Sequence, residues 1–204
     1  TVNGTFTHSN GNITFDDNIS NSSAQHWLIL KGNACTLSGA AVMTHAGAGS
    51  CTAFGILSFN RIGLINYTRV ATHALQQIKQ RVENACTLRV VNGSIQTATH
   101  ALAATDYFRI RSGGRVELGT NQILSNANFA NTGVQVDSMG CLAIGRTNGL
   151  YDGTLNGSLS SNSNMNYFLH EYSTVEYYAA TNQNITGTGV GLATGIQHQY
   201  GLLK

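Results

Sequence analysis

The chain has 204 residues, 42% of them hydrophobic and only 10% charged, with a formal net charge of +2. Lys and Arg are too few and too dispersed for a phosphate-binding stripe, which argues against a nucleic-acid partner, and no apolar run is long enough for a membrane-spanning helix. Aromatic and β-branched residues are too plentiful for a disordered chain, and no shift in composition divides it, so a single domain over 1–204 is expected.

Val2, Thr5, Phe6, Ile13 and Phe15 alternate around Asn10-Gly11, a dipeptide suited to a tight turn, and predict a first coil of short strands. Asp16-Asp17-Asn18 closes that coil. Trp27-Leu28-Ile29-Leu30 reads as an apolar strand that is covered on both faces or lies in an interface, with the lone tryptophan in the core. Small residues dominate 39–55 and predict an irregular insertion. Strand-like alternation returns from Ile56 to Tyr67. Ala71, Leu75, Ile78 and Val82 then fall at helical spacing behind Thr68 and Thr72, so a helix over 72–83 competes with a strand over 76–82.

Residues 76–145 carry the clearest pattern. Apolar residues come in short alternating bursts: Leu88 and Val90, Ile95, Leu102, Phe108 and Ile110, Val116 and Leu118, Ile123, Val134 and Val136, Leu142 and Ile144. Between them stand Asn92-Gly93, Ser112-Gly113-Gly114, Gly119-Thr120-Asn121, Asn131-Thr132-Gly133 and Met139-Gly140, which accept the backbone angles of tight corners. Bursts so short do not build a sandwich of ordinary strands. They suit a coil in which each strand pairs with its equivalent one turn away, so the fold class read here is all-β, a parallel β-helix (β-solenoid) with a single stacked core. After Gly145 a polar arm carries the turn signals Asn148-Gly149, Asp152-Gly153 and Asn156-Gly157; strands resume at Tyr167–His170 and Thr174–Tyr178, and Tyr200–Lys204 is a last strand. The glycine-rich 187–195 lacks the spacing of a nucleotide loop.

Four segments carry a resemblance: NGTFTHSNGNITF (3–15), CTLRVVNGSIQTATHAL (86–102), VQVDSMGCLAIGRTNGL (134–150) and STVEYYAATNQNITGTG (173–189). In this order they resemble the repeat phrases of repetitive β-solenoid cell-surface and secreted proteins of Bacteroidota. The resemblance implies a parallel β-helix and an extracellular or cell-surface location. QQIKQRVENACTL (76–88) is similar to a strand phrase of that family, which implies the strand over 76–82 instead of the helix, and Asp137-Ser138-Met139 is similar to the short O-glycosylation motif of Bacteroidota, implying modification at Ser138. The four cysteines and the segment 40–72 depart from the pattern.

Cys35, Cys51, Cys86 and Cys141 show no CxxC spacing. In an exported protein they would form two disulfides in one of three connectivities; as thiols they would be small buried hydrophobes. The phrase Asn-Ala-Cys-Thr-Leu occurs around both Cys35 and Cys86 and predicts the same phase of the coil for both. The nine acidic residues offer no pair suited to glycoside hydrolysis, and the seven histidines have no metal-binding spacing, so no catalytic, metal or cofactor residue is expected. N-x-Ser/Thr sequons at Asn3, Asn12, Asn18, Asn21, Asn66, Asn92, Asn156 and Asn184 are candidates for glycosylation. With no proline to blunt an edge, Val2, Phe6, Tyr200, Leu202 and Leu203 mark open ends for pairing, with copies of the chain or with neighbouring coils of a longer one. The expectation is a non-enzymatic extracellular structural or adhesive module that stacks head to tail as a filament subunit. The rivals are a carbohydrate-binding module using Tyr172, Tyr177 and Tyr178, which would take surface glycans as partners, and a β-helical polysaccharide lyase or hydrolase.

Overall fold

A computed structural model describes residues 1–16, 25–46, 54–76, 78–97, 108–124, 133–151, 156–160, 166–185 and 202–203, and these form strands and turns with no helix among them. Among the described residues there are twenty strands, the first eighteen in groups of three. They are β1 (Phe6–His8), β2 (Asn12–Asp16) and β3 (Gln25–Leu30); β4 (Ala34–Leu37), β5 (Val42–Ala46) and β6 (Phe54–Phe59); β7 (Gly63–Arg69), β8 (Ala74–Gln76) and β9 (Ile78–Val82). Next come β10 (Cys86–Asn92), β11 (Ile95–Gln96) and β12 (Phe108–Ile110); β13 (Arg115–Glu117), β14 (Ile123–Leu124) and β15 (Gly133–Val136); β16 (Cys141–Ile144), β17 (Leu159–Ser160) and β18 (Asn166–Leu169). β19 (Thr174–Tyr177) and β20 (Leu202–Leu203) complete the series.

Every pairing is parallel, and all but β19 with β20 join a strand to the one three places on. One sheet runs β1-β4-β7-β10-β13-β16-β19-β20, a second β3-β6-β9-β12-β15-β18, and two short sheets β2-β5-β8 and β11-β14-β17. All-β architecture with parallel strands in stacked sheets is thus the observed fold. The stacking register explains why the bursts alternate. Ile65, Leu88, Val116, Leu142 and Val175 stand in one inward column. Leu30, Phe59, Val82, Ile110, Val136 and Leu169 form a second, and Ile95, Ile123 and Leu159 a third. These columns belong to one cluster of packed apolar residues, each fully buried side chain stabilising the fold by about 1.5–3 kcal/mol.

The corner into the eight-stranded sheet is a column of its own. The Gly63, Ala85, Gly113 and Met139 N–H groups donate in turn to the carbonyls of Ala85, Gly113, Met139 and Tyr172 at 2.9–3.2 Å. All five residues have positive φ, including the non-glycines Ala85, Met139 and Tyr172, where a side chain costs about 1–2 kcal/mol. The hydrogen-bond column, running along the stacking direction, holds them there.

The two short sheets are one face interrupted, since β8 does not pair with β11. Polar side chains replace the missing ladder. Arg69, inward on β7 and only 4% exposed, donates from its guanidinium to the carbonyls of Ser94, Ala71 and His73 and to Gln96 Oε1. Gln80 Nε2 donates to the Gln96 carbonyl at 2.7 Å, and His8 Nδ1 lies 2.9 Å from His73 Nε2. Unpaired backbone carbonyls in a buried gap need donors, and these side chains supply them.

Several expectations are corrected. The irregular insertion over 39–55 contains regular structure: β5 pairs β2 and β8, and β6 begins at Phe54, while 47–53 lie outside the described residues. Trp27 is 43% exposed on the outward face of β3, with the Arg81 guanidinium 5.1 Å from its ring centroid, so it is not core. The polar arm contains β17, whose Leu159 is buried under Ile123. Cys35 and Cys86 share a sheet but not a rung: Cys35 aligns with Tyr67 and thence Val90, whereas Cys86 aligns with Gly63. The strand reading of 76–82 holds in β8 and β9, residue 77 lying outside the described residues.

Candidate functional site

The predicted cysteines do not form the disulfide pair. Cys35 and Cys86 are buried thiols, and Cys141 is an unbridged thiol half-buried on β16. β4, β10 and β16 are separated by intervening strands, about 10 Å at sheet spacing, beyond the roughly 7 Å Cα reach of a disulfide. Two bonds among four cysteines need at least one among these three, so the two-disulfide framework is overturned; Cys51 lies outside the described residues. Burial pushes the Cys35 thiol up to about 12.

Asn3, Asn12, Asn66, Asn92, Asn156 and Asn184 are all exposed, as is Ser138 in the turn between β15 and β16; Asn18 and Asn21 lie outside the described residues. The turn at Ser138 is anchored by its neighbour, because Asp137 accepts from Arg109 Nε at 3.0 Å and from Gln135 Nε2 at 2.8 Å. Of the predicted open ends, Phe6 is half-buried on β1 and pairs with Cys35. Leu202 and Leu203 form β20 against Thr174 and Val175, and Tyr200 lies outside the described residues. Val2 is already engaged: its N–H donates to Ile29 O, and its carbonyl accepts from Lys31 N–H, both at 2.8 Å, covering part of the outer edge of β3.

Among the described residues, two concavities lie where the chain leaves the eight-stranded sheet. One, of about 770 Å³, is bounded by the backbone of Gly119 and Gly145 and by Arg146, Asn148, Asn156 and Tyr178. The other, of about 420 Å³, shares Gly119 and Tyr178 and is bounded by Arg89, Arg115, Glu117 and Glu176. The Tyr178 hydroxyl accepts the Gly119 N–H at 2.7 Å, which pins the half-exposed ring between the two. Outward residues of successive strands build the charged wall: Asn66, Arg89, Glu117, Ala143 and Glu176 occupy one column. Arg115 donates to Glu117 at 2.9 Å and to Glu176 at 2.8 Å, and Arg89 donates to Glu117 at 2.8 Å.

Burial alone would raise the Glu117 carboxyl, but the donors Arg89 and Arg115 outweigh it and hold the group below its usual range. The hydrogen bond to Glu176 is the main cause of the raised Arg115 value. A general acid for glycoside cleavage needs the opposite shift. Sequence reasoning missed this cluster because Arg115 and Glu176 come together only when two further strands have stacked on β13.

Four of the described histidines meet in pairs. His26 and His45 rings stack at 5.7 Å, and His8 meets His73 edge to face at 5.0 Å. Among the described residues no three His, Cys, Asp or Glu are grouped to hold a metal. Tyr172 stands exposed at the corner column, Tyr177 is partly buried at the end of β19, and Tyr178 alone of the three predicted tyrosines bounds the concavities. No protein-family model, curated protein or solved structure matches the chain.

Proposed function

We propose that the stacked sheets are faces of a β-solenoid with one continuous core, and that the chain is a non-enzymatic structural or adhesive module of a cell surface or extracellular matrix. The observation that carries this reading is the three-strand parallel repeat, one inward column of which runs from Ile65 through Leu88, Val116 and Leu142 to Val175. Such a stack resists bending because every rung is tied to the next by backbone hydrogen bonds and apolar contact. Growth by further coils follows from the same geometry: the outer edges of β1 and β2 have no strand partner among the described residues, so β20 of another copy, or a neighbouring coil of a longer chain, would continue the sheets. Repetition in one direction yields a filament.

The exposed sequons and Ser138 have room for glycans, which would cover the uncharged polar surface. Electron microscopy with light scattering tests the assembly. Rods that shorten when a charge is placed on β1 by Thr7→Lys support it; a monodisperse monomer at all concentrations, indifferent to Thr7→Lys, contradicts it.

A further inference from the structure

We propose that the paired concavities on either side of Tyr178 form a binding groove for an acidic, uronate-bearing oligosaccharide. This does not depend on filament assembly, since every wall belongs to one chain. At about 770 Å³ the larger lobe falls in the range of small-ligand sites, and the 420 Å³ lobe beyond Tyr178 extends it past the size of one sugar ring.

The groove is built and held. Tyr178 follows β19, and its hydroxyl reaches back to Gly119, which follows β13, so the ring spans the coil between them. Gln183 ties the facing segment down: its Oε1 accepts from Ala179 N–H at 2.6 Å, and its Nε2 donates to the carbonyls of Ile144 at 3.2 Å and Arg146 at 2.9 Å. The Asn184 N–H donates to Thr147 O at 2.8 Å. Walls already held in place reduce the ordering that the protein must undergo on binding.

The lining selects the chemistry. Thr120, Thr147, Thr181, Asn148 and Asn156 present short hydroxyls and amides, which both donate and accept, as sugar hydroxyls do. The half-exposed Tyr178 ring offers a face for the C–H surface of a pyranose. In the smaller lobe the charges are mutually satisfied, Arg115 with Glu117 and Glu176, and Arg89 with Glu117. Arg146 differs. Among the described residues its guanidinium has no ion-pair partner, so the larger lobe carries one uncompensated positive charge, suited to bidentate contact with a carboxylate.

The test is isothermal titration of the whole chain at low ionic strength with tetragalacturonate and with galactotetraose, which differ in oxidation at C6 and therefore in charge. The uronate is expected to bind about tenfold tighter, the scale of one charge-assisted contact. Arg146→Gln should abolish that preference, weakening the uronate about tenfold more than the neutral sugar. Tyr178→Ala should weaken both sugars about tenfold or more, and Tyr178→Phe, which keeps the ring and loses the bond to Gly119, should weaken them less. Circular dichroism of each variant confirms that the strands remain. No saturable binding of either sugar at millimolar concentration, equal affinity for the two, or binding that survives both Arg146→Gln and Tyr178→Ala overturns the proposal.

Discussion

The stretch from β12 to β16 and the stretch from β7 to β11 use the same three-strand repeat but cohere differently. In the first, apolar columns meet rung by rung, Phe108 on Val134 and Val116 on Leu142, beside the Gly113 to Met139 corner. In the second the β2-β5-β8 face stops, and the buried Arg69, His73 and Gln80, with the partly buried Gln96, occupy the gap. Stacked parallel strands therefore tolerate a missing ladder when side-chain donors replace backbone ones, and in exchange the stack acquires buried ionisable groups. Burial lowers the Arg69 guanidinium, and burial followed by the nearby charges of His8 and Arg69 lowers His73 to about 4.

Truncation within the apolar stretch sets the upper scale. Phe108→Ala should cost about 4 kcal/mol in urea unfolding, because a fully buried ring leaves a cavity between Gln80 and Val134. Arg69→Met should cost about 3 kcal/mol despite removing a buried charge, since several carbonyls lose their donor at once, and Arg69→Lys should recover little because one ammonium cannot span them. A neutral outcome for Arg69→Met would mean the gap is not held by that side chain.

Acid should separate the two stretches. His73 is neutral when folded and titrates near 4, whereas the unfolded chain takes up the proton near 6.5; stability is complete above pH 6.5 and falls as pH drops, by about 3 kcal/mol at pH 4. Hydrogen exchange should locate the early opening around β7 to β11, and His73→Gln should flatten the pH curve. Smaller effects belong to the corner column. Met139→Gly and Tyr172→Gly should stabilise by up to about 1 kcal/mol, whereas Gly113→Ala should destabilise by more, since its Cβ would stand 2.1 Å from Asn84 Oδ1. Least of all, Arg89→Ala should change stability by no more than about 0.5 kcal/mol, its pair with Glu117 being half in water.

The apolar stretch was legible because its signal is local. Leu88 and Val90, or Val134 and Val136, announce an inward face by period-2 alternation, and Gly93 and Gly113 mark corners by the angles they accept. The polar gap was not. Nothing near Arg69 distinguishes it from a surface arginine until β11 stacks beside β7 and fails to pair with β8. Ala85 and Tyr172 hid for a related reason, and at the expected Met139-Gly140 corner the left-handed angle falls on Met139: hydrogen bonds with adjacent corners, not the residues' own preference, hold these angles. Small residues from Ala40 to Ala46 resembled a loop, although pairing on both sides makes β5 a strand. The groove was half visible, since Tyr178 was singled out, whereas its partner Gly119 lies 59 residues away.

The most direct test of the parallel stack is distance measurement by pulsed electron paramagnetic resonance, with nitroxides on unnatural side chains at Ala34, Asn66 and Glu176 so that the native thiols remain. These positions lie in one outward column of the eight-stranded sheet. At about 4.8 Å per strand, four steps place 66 and 176 about 19 Å apart, and five place 34 and 176 about 24 Å apart. Two narrow distributions differing by about one strand spacing are predicted. Equal distances, or a broad distribution beyond about 35 Å, would contradict a register in which each coil lies directly on the last.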